Sequence, residues 1–321
     1  MRRPGWLRRA AYAAQLASDR ADLWPAGALA ALAFLGWLPL LLVVAPIDPD
    51  GLLSLGNSLY TSSAFPANVV ALSVALVAAF VLMCLMAGMA EAALQRMAAA
   101  RSAPQLAFGR ATLTALAVVL VAAIPAAGAS AALVMGITAV AFEAFTSPDL
   151  DTPLLLRLAA PLWPFLIALL VTVLIGQAFG GAALRRALAL GSPPIGRALA
   201  AAAGDLRRHP ARLLGLAAAT LTKDAAWLAL SYALLRVLWA PIGDDLAAGQ
   251  LGGPDTLLLL VGFVAIWLAL LLMAGALHVA VSAWWALELA SVDRAGRVAD
   301  ADGPGLPAGS GPQTEGGAGE P

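Results

Sequence analysis

The sequence predicts an all-α polytopic membrane protein with six transmembrane helices and both termini on the cytoplasmic side. Three observations carry this. The 321 residues are 61% hydrophobic and only 12% charged, with a mean hydropathy of +0.86, whereas a soluble domain has about 45–50% apolar and about 25% charged residues. The excess lies in six blocks, near 24–45, 67–90, 112–141, 161–183, 213–239 and 256–287. Each is long enough to cross about 30 Å of hydrocarbon as a helix. Finally, the basic residues alternate between connections. Five arginines precede the first block, three lie between the second and third, six between the fourth and fifth, and two follow the sixth, while the intervening connections hold only Arg157. Positive charge is retained on the cytoplasmic side, and an even number of spans places both termini there.

Taken in order, residues 1–23 read as an interfacial amphipathic segment, with Trp6, Leu7, Ala11 and Leu16 interspersed with arginines. No A-x-A cleavage site follows the first apolar block, so this segment is expected to remain as an anchor. Residues 24–290 form the six-helix domain. Pro39 and Pro125 fall inside the first and third blocks, where a missing amide and a ring clash bend a helix. Several blocks exceed about 20 residues, which requires tilt or kinking. Alternating strands of a membrane barrel are absent from the pattern. Residues 291–321, ending in "DGPGLPAGSGPQTEGGAGEP", are too rich in Gly and Pro to bury a core and read as a disordered cytoplasmic tail.

The even-numbered blocks end in "MAGMAEAALQRM", "GQAFGGAALRRAL" and "MAGALHVAVSAWW", and the odd-numbered ones are entered by "RADLWPAGALA", "GRATLTALAVV" and "ARLLGLAAATL". Three tandem helical hairpins would produce this pattern; so would the ease with which Ala- and Leu-rich chains align with themselves. Gly176 and Gly180 form G-x-x-x-G, and Gly128, Ala132 and Gly136 a similar stripe. Such stripes let helix backbones approach closely in lipid. The single cysteine, Cys84, has no partner and reads as a small buried hydrophobe.

The segment "LALGSPPIGRALAAAAGDLRRHPARLLGLAAATL", residues 188–221, resembles the cytoplasmic segment of a broad, largely uncharacterised bacterial six-helix membrane-protein family. It has a Gly turn, a short helix set up by "SPPIGRAL", basic residues and re-entry into the bilayer. The same pattern occurs in the membrane domain attached to some glycerophosphodiester phosphodiesterases. The resemblance implies a six-helix membrane domain of the bacterial cytoplasmic (inner) membrane. It implies no phosphodiesterase activity, which in that family resides in a soluble barrel this chain has no room for.

Motifs for chemistry are sparse. The sequence contains no phosphate loop, no H-E-x-x-H and no G-x-S-x-G elbow. His209, His278 and Cys84 lack metal-ligand spacing, and neither a metal nor another cofactor is expected. The acidic pairs Asp48/Asp50, Asp149/Asp151 and Asp244/Asp245 lie beside prolines and read as solvated loop ends rather than calcium ligands. A formal net charge of zero gives no long-range attraction for nucleic acid.

The stretch "LTKDAAWLAL" is the exception. The only lysine, Lys223, stands beside Asp224 within an apolar run. If hydrocarbon begins near Leu213, the pair lies about 15–17 Å deep, with Arg236 snorkelling beside Trp239. If it begins after Asp224, Arg236 lies deep instead. Each charge costs about 2.5–3.5 kcal/mol at the helix centre, so each is expected to turn inward to a partner on another helix. Counting from the cytoplasmic ends, His278 shares the depth of Lys223, and Gln177 lies slightly lower. Lys223, Asp224, His278 and Gln177 form the candidate polar binding cluster, with Thr220 and Ser231 on the face of Asp224. Its two readings are a site in a transporter and a neutralised structural pair. Neither Val121 nor Ala31, the matching positions in the other repeats, is charged, which favours the second. The functional expectation is a non-catalytic accessory or scaffold protein among membrane lipids. The alternatives are a small-solute or lipid transporter, or a permease subunit partnered by an ATPase, and an intramembrane enzyme.

Overall fold

The computed structural model describes residues 5–44, 58, 61–98, 108–146, 154–189, 195–248 and 253–301. Every regular element among them is helical. In chain order these are α1 (Gly5–Asp19), α2 (Trp24–Ala31), α3 (Leu38–Val44), α4 (Ala67–Ala98), α5 (Phe108–Thr146), α6 (Leu154–Ala189), α7 (Ile195–Arg208), α8 (Pro210–Ala247) and α9 (Pro254–Ala301). Five of them, α4, α5, α6, α8 and α9, are long and apolar enough to cross a membrane.

The first apolar block is interrupted just ahead of Pro39, where a bend was expected. A π-helical turn at Leu32–Gly36 separates α2 from α3. Pro39 supplies the cause: it offers no N–H to the carbonyl of Leu35, and its ring crowds that carbonyl. The backbone widens one turn ahead of it, and a neighbouring helix donates to a carbonyl of the widened turn. Trp267 Nε1 donates to Gly36 O at 2.9 Å. Pro125, Pro161, Pro164 and Pro241 are accommodated inside continuous helices. Pro241 therefore does not end the fifth block, and helix continues to Ala247 with Ile242 buried.

The five long apolar helices and the α2–α3 segment follow one another around a ring. The α2–α3 segment meets α4, α4 meets α5, and α5 packs closely along α6. Then α6 meets α8, α8 meets α9, and α9 closes the ring against α2. That last contact is the tightest backbone approach. A Cβ added to Gly275 would lie 2.6 Å from Ala28 N, and one added to Gly27 would strike Gly275 O. The expected G-x-x-x-G contact is present: side chains at Gly176 and Gly180 would meet Ala122 of α5, at 3.1 Å from its carbonyl and 2.7 Å from its Cβ. The second stripe contributes only at one end. Gly136 rests on the Phe165 ring, but Gly128 faces open space and Ala132 is exposed.

Two larger apolar cores divide the ring, and a smaller one gathers Ala17, Leu23, Leu94 and Val279. Of the larger two, one lies at the end carrying α1 and α7, where Ala183, Ala187, Ala198, Ala202, Leu213 and Trp285 are buried together. The other joins α3, α8 and α9 nearer the opposite end, around Val43, Trp227, Leu235, Phe263 and Leu270. No comparable core joins the far halves of α4, α5 and α6 among the described residues. Residues 69–79 of α4 are exposed on every face of the helix.

α7 is amphipathic, and Ala198, Ala202 and Asp205 at i, i+4 and i+7 face inward. Arg186 Nε of α6 donates to Asp205 Oδ2 at 2.8 Å. Pro210 then starts α8 at a position where no N–H is needed. α1 packs Ala13 and Ala17 inward and leaves Trp6, Leu7 and Tyr12 exposed, as an interfacial helix would.

Cys84 is fully buried, as expected. Past residue 291, α9 continues as helix to Ala301. The Gly/Pro-rich stretch 302–321 and the pairs Asp48/Asp50 and Asp149/Asp151 lie outside the described residues. In the third acidic pair, Asp245 Oδ2 accepts a 2.7 Å hydrogen bond from Thr256 and ties α8 to the start of α9.

Candidate functional site

Inside the ring lies a cavity of about 380 Å³, and Lys223, Asp224, His278 and Gln177 all line it. Three helices therefore bring the four candidate residues to one space. Their pairing differs from expectation. Lys223 and Asp224 do not reach across to other helices: Lys223 Nζ contacts Asp224 Oδ1 of its own helix at 2.5 Å. Neighbouring side chains leave a helix about 100° apart, but the four-carbon stem of lysine is long enough to curl back. Both side chains remain partly open to the cavity, at 19% and 25% exposure.

His278 finds its partner in Glu91 of α4, with Nε2 2.8 Å from Oε1. Glu91 also accepts from Ser282 Oγ at 3.3 Å and lies 3.7 Å from Arg185 Nη2. Arg185 donates to Ser282 Oγ at 2.9 Å and to Gly181 O at 3.3 Å, and its guanidinium sits 5.6 Å from the Trp285 ring centroid. Trp285 Nε1 in turn donates to Thr220 Oγ1 at 3.2 Å. Glu91, Arg185, Thr220 and Trp285 line the same cavity. Of the polar residues on the face of Asp224, Thr220 joins this network. Ser231 is buried away from the cavity lining, and its hydroxyl has no partner among the described residues.

Glu91 and Arg185 extend the expected cluster. Arg185 counts in the sequence as one of the basic residues of the connection after the fourth block, but it lies inside α6 and is buried. Glu91 could have been found: it is the only acidic residue between Asp50 and Glu143, and a solitary carboxylate in an apolar helix is costly unless paired.

The arrangement has two ends. Charged groups gather toward the α7 end, where Trp285 and the apolar core beneath it close the space. Toward the opposite end the walls are apolar, with Leu35, Val119, Ala122, Ala126 and Val173. Each charged group has an opposite partner, so the site is electrically balanced yet retains room for a ligand. Among the described residues, no three or more His, Cys, Asp or Glu side chains are grouped so as to hold a metal ion.

A second buried carboxylate lies outside the cavity. Glu288 of α9 accepts Arg9 Nε at 2.7 Å and Arg9 Nη2 at 3.1 Å, and pairs with Arg212 Nε at 3.0 Å. Trp284 Nε1 adds a bond at 3.3 Å, and Trp6 stacks on Trp284 with centroids 6.3 Å apart. This cluster fastens α1 to α8 and α9.

No family model, curated protein or solved structure matches the chain.

Proposed function

We propose that the chain is a six-span protein of the bacterial cytoplasmic membrane, and that it binds and passes a small solute through the cavity as a permease or permease subunit. The observation that carries this reading is the cavity itself. A structural ion pair needs only packed partners, whereas here charged side chains from four helices surround about 380 Å³ of space, within the range of ligand sites. Ionisable groups within a membrane mark solute or proton pathways by default. The composite α2–α3 segment supplies the sixth span. Its course from Trp24 to Val44 covers about 31 Å at about 1.5 Å per residue, enough for the hydrocarbon core. The clustering of arginines at the α7 end supports a cytoplasmic location for that end.

The accessory or scaffold reading has one observation in its favour. Lys223 and Asp224 neutralise one another without help, as a purely structural pair would.

Thiol accessibility separates the two. In a Cys84→Ala background, Gln177→Cys should react with a small water-soluble charged thiol reagent in membrane vesicles. Leu258→Cys, at a position 77% exposed on the apolar flank of α9, should react far more slowly. Equal inertness at both positions would show a dry cavity and favour the scaffold. A reporter fused after residue 295 should read cytoplasmic in the same membranes; an external reading would remove the six-span topology.

A further inference from the structure

We infer that the ligand of this cavity is a zwitterionic amphiphile, with a head bearing one positive and one negative group and an alkyl tail. This rests on the solute-binding reading above and specifies its substrate class. The polar end holds two fixed cations, Arg185 and Lys223, and two carboxylates, Glu91 and Asp224, with His278 and Gln177 beside them. A ligand of net charge would leave that charge uncompensated where desolvation is costly. A head carrying both signs exchanges partners with the internal pairs and leaves the balance at zero. The pairs have capacity to spare. Arg185 is nine-tenths buried, and its Nε has no hydrogen-bond partner among the described residues. Lys223 has three donor hydrogens and one carboxylate contact.

The tail follows from the opposite wall. Leu35, Val119, Ala122, Ala126 and Val173 offer no polar side chain to a solute. α4 covers the cavity through Glu91 and Ala87, but none of its residues nearer the far end lines it. Residues 69–79 of α4 are all exposed, on every face of the helix. The cavity therefore has a charged floor at the α7 end and an apolar exit beside the far half of α4, where lipid chains lie. A water-soluble zwitterion would leave that exit wall unmatched, whereas an alkyl chain buries against it at a gain per methylene.

The test uses the full chain in maltoside micelles and native mass spectrometry. Four probes are compared at equal concentration: a lysophosphatidylethanolamine, glycerophosphoethanolamine (the same zwitterionic phosphodiester head without the tail), a monoacylglycerol (tail without charge) and a lysophosphatidic acid (net anionic). Lysophosphatidylethanolamine should be retained best, by about tenfold or more over the head alone, the increment expected when several methylenes are buried. Ala126→Phe and, independently, Ala123→Leu, at a position that also lines the cavity, should fill the apolar exit and reduce its retention while leaving Gln177→Cys reactive in the Cys84→Ala background. Equal retention of glycerophosphoethanolamine, with no effect of either substitution, overturns the tail and leaves the proposed function standing. Preference for lysophosphatidic acid overturns the zwitterionic head. If no probe is retained while Gln177→Cys still reacts, the amphiphile is wrong and the hydrated site survives. If Gln177→Cys is inert as well, both readings fall together.

Discussion

Two buried glutamates among the described residues, Glu288 and Glu91, have similarly low side-chain exposure, 3% and 7%, but their partners differ. Glu288 is bound by Arg9 through two nitrogens, by Arg212 and by Trp284. Those arginines come from the end of the bundle, and their side chains keep 24% and 38% exposure. Glu91 is bound by His278, Ser282 and Arg185, and the Arg185 side chain keeps only 10%. Glu288 therefore works as a clasp: bidentate geometry and several donors hold α1 against α9. Glu91 stands in the wall of a cavity, where its partners serve both the fold and any ligand. What separates clasp from site is the exposure of the surrounding cations and the space left beside them.

The largest effect should follow Glu91→Ala. It strands Arg185 in the bundle, and breaking a buried pair in this way costs roughly 3–5 kcal/mol. Glu91→Leu combined with Arg185→Leu should recover most of the loss in detergent melting, since neither charge then stays buried alone. If Glu91→Ala melts no lower than Glu288→Ala, Arg185 reaches water after all, and the contrast between the two carboxylates collapses.

Glu288→Ala should cost less, about 1–3 kcal/mol for lost charge-assisted bonds, because Arg9 and Arg212 can turn out to solvent. Its signature is local. Amide exchange in α1 should accelerate while α5 and α6 keep their protection. Uniform acceleration across the bundle would mean that Glu288 supports the whole ring rather than one docked helix.

The smallest effects belong to Lys223 and Asp224, which already face the cavity. Each single change to Leu should cost about 1–2 kcal/mol, less than the roughly 3–5 of a fully buried pair. The double change should melt within about 0.5 kcal/mol of the parent, as replacement of a buried pair by apolar groups often does. A double variant less stable than both singles would show that the pair is held by other groups, contrary to its isolated 2.5 Å contact.

Much of the fold was legible because the bilayer rule is local. Apolar runs near 67–90 and 112–141 had to be helical, since lipid satisfies no backbone polar group. Gly176 and Gly180 read correctly as a close helix contact with α5. Gly128 did not, because four-residue spacing describes a smooth face without saying whether a neighbour stands opposite. Helix and apolar run need not end together: "SVDRAGRVADA" is charged, yet it extends α9 to Ala301. Counting residues from the helix ends brought Lys223 and His278 to one depth, with Gln177 slightly lower, and all three line one cavity.

The sequence by itself determined the helical class, the long apolar segments, the clustering of arginines and the presence of costly charges in apolar helices. All of these are sums over neighbouring residues, and hydrophobic periodicity and charge density need no partner to be read. Only the tertiary structure decided which charge meets which. The rotation of each helix about its own axis depends on contacts such as Gly27 against Gly275 and Trp267 against the Gly36 carbonyl ahead of Pro39. A turn of 100° sends a side chain to a different neighbour. That rotation gave His278 to Glu91, left Lys223 with Asp224 and drew Arg185 into the ring, because pairing between helices is set by packing and not by position along the chain.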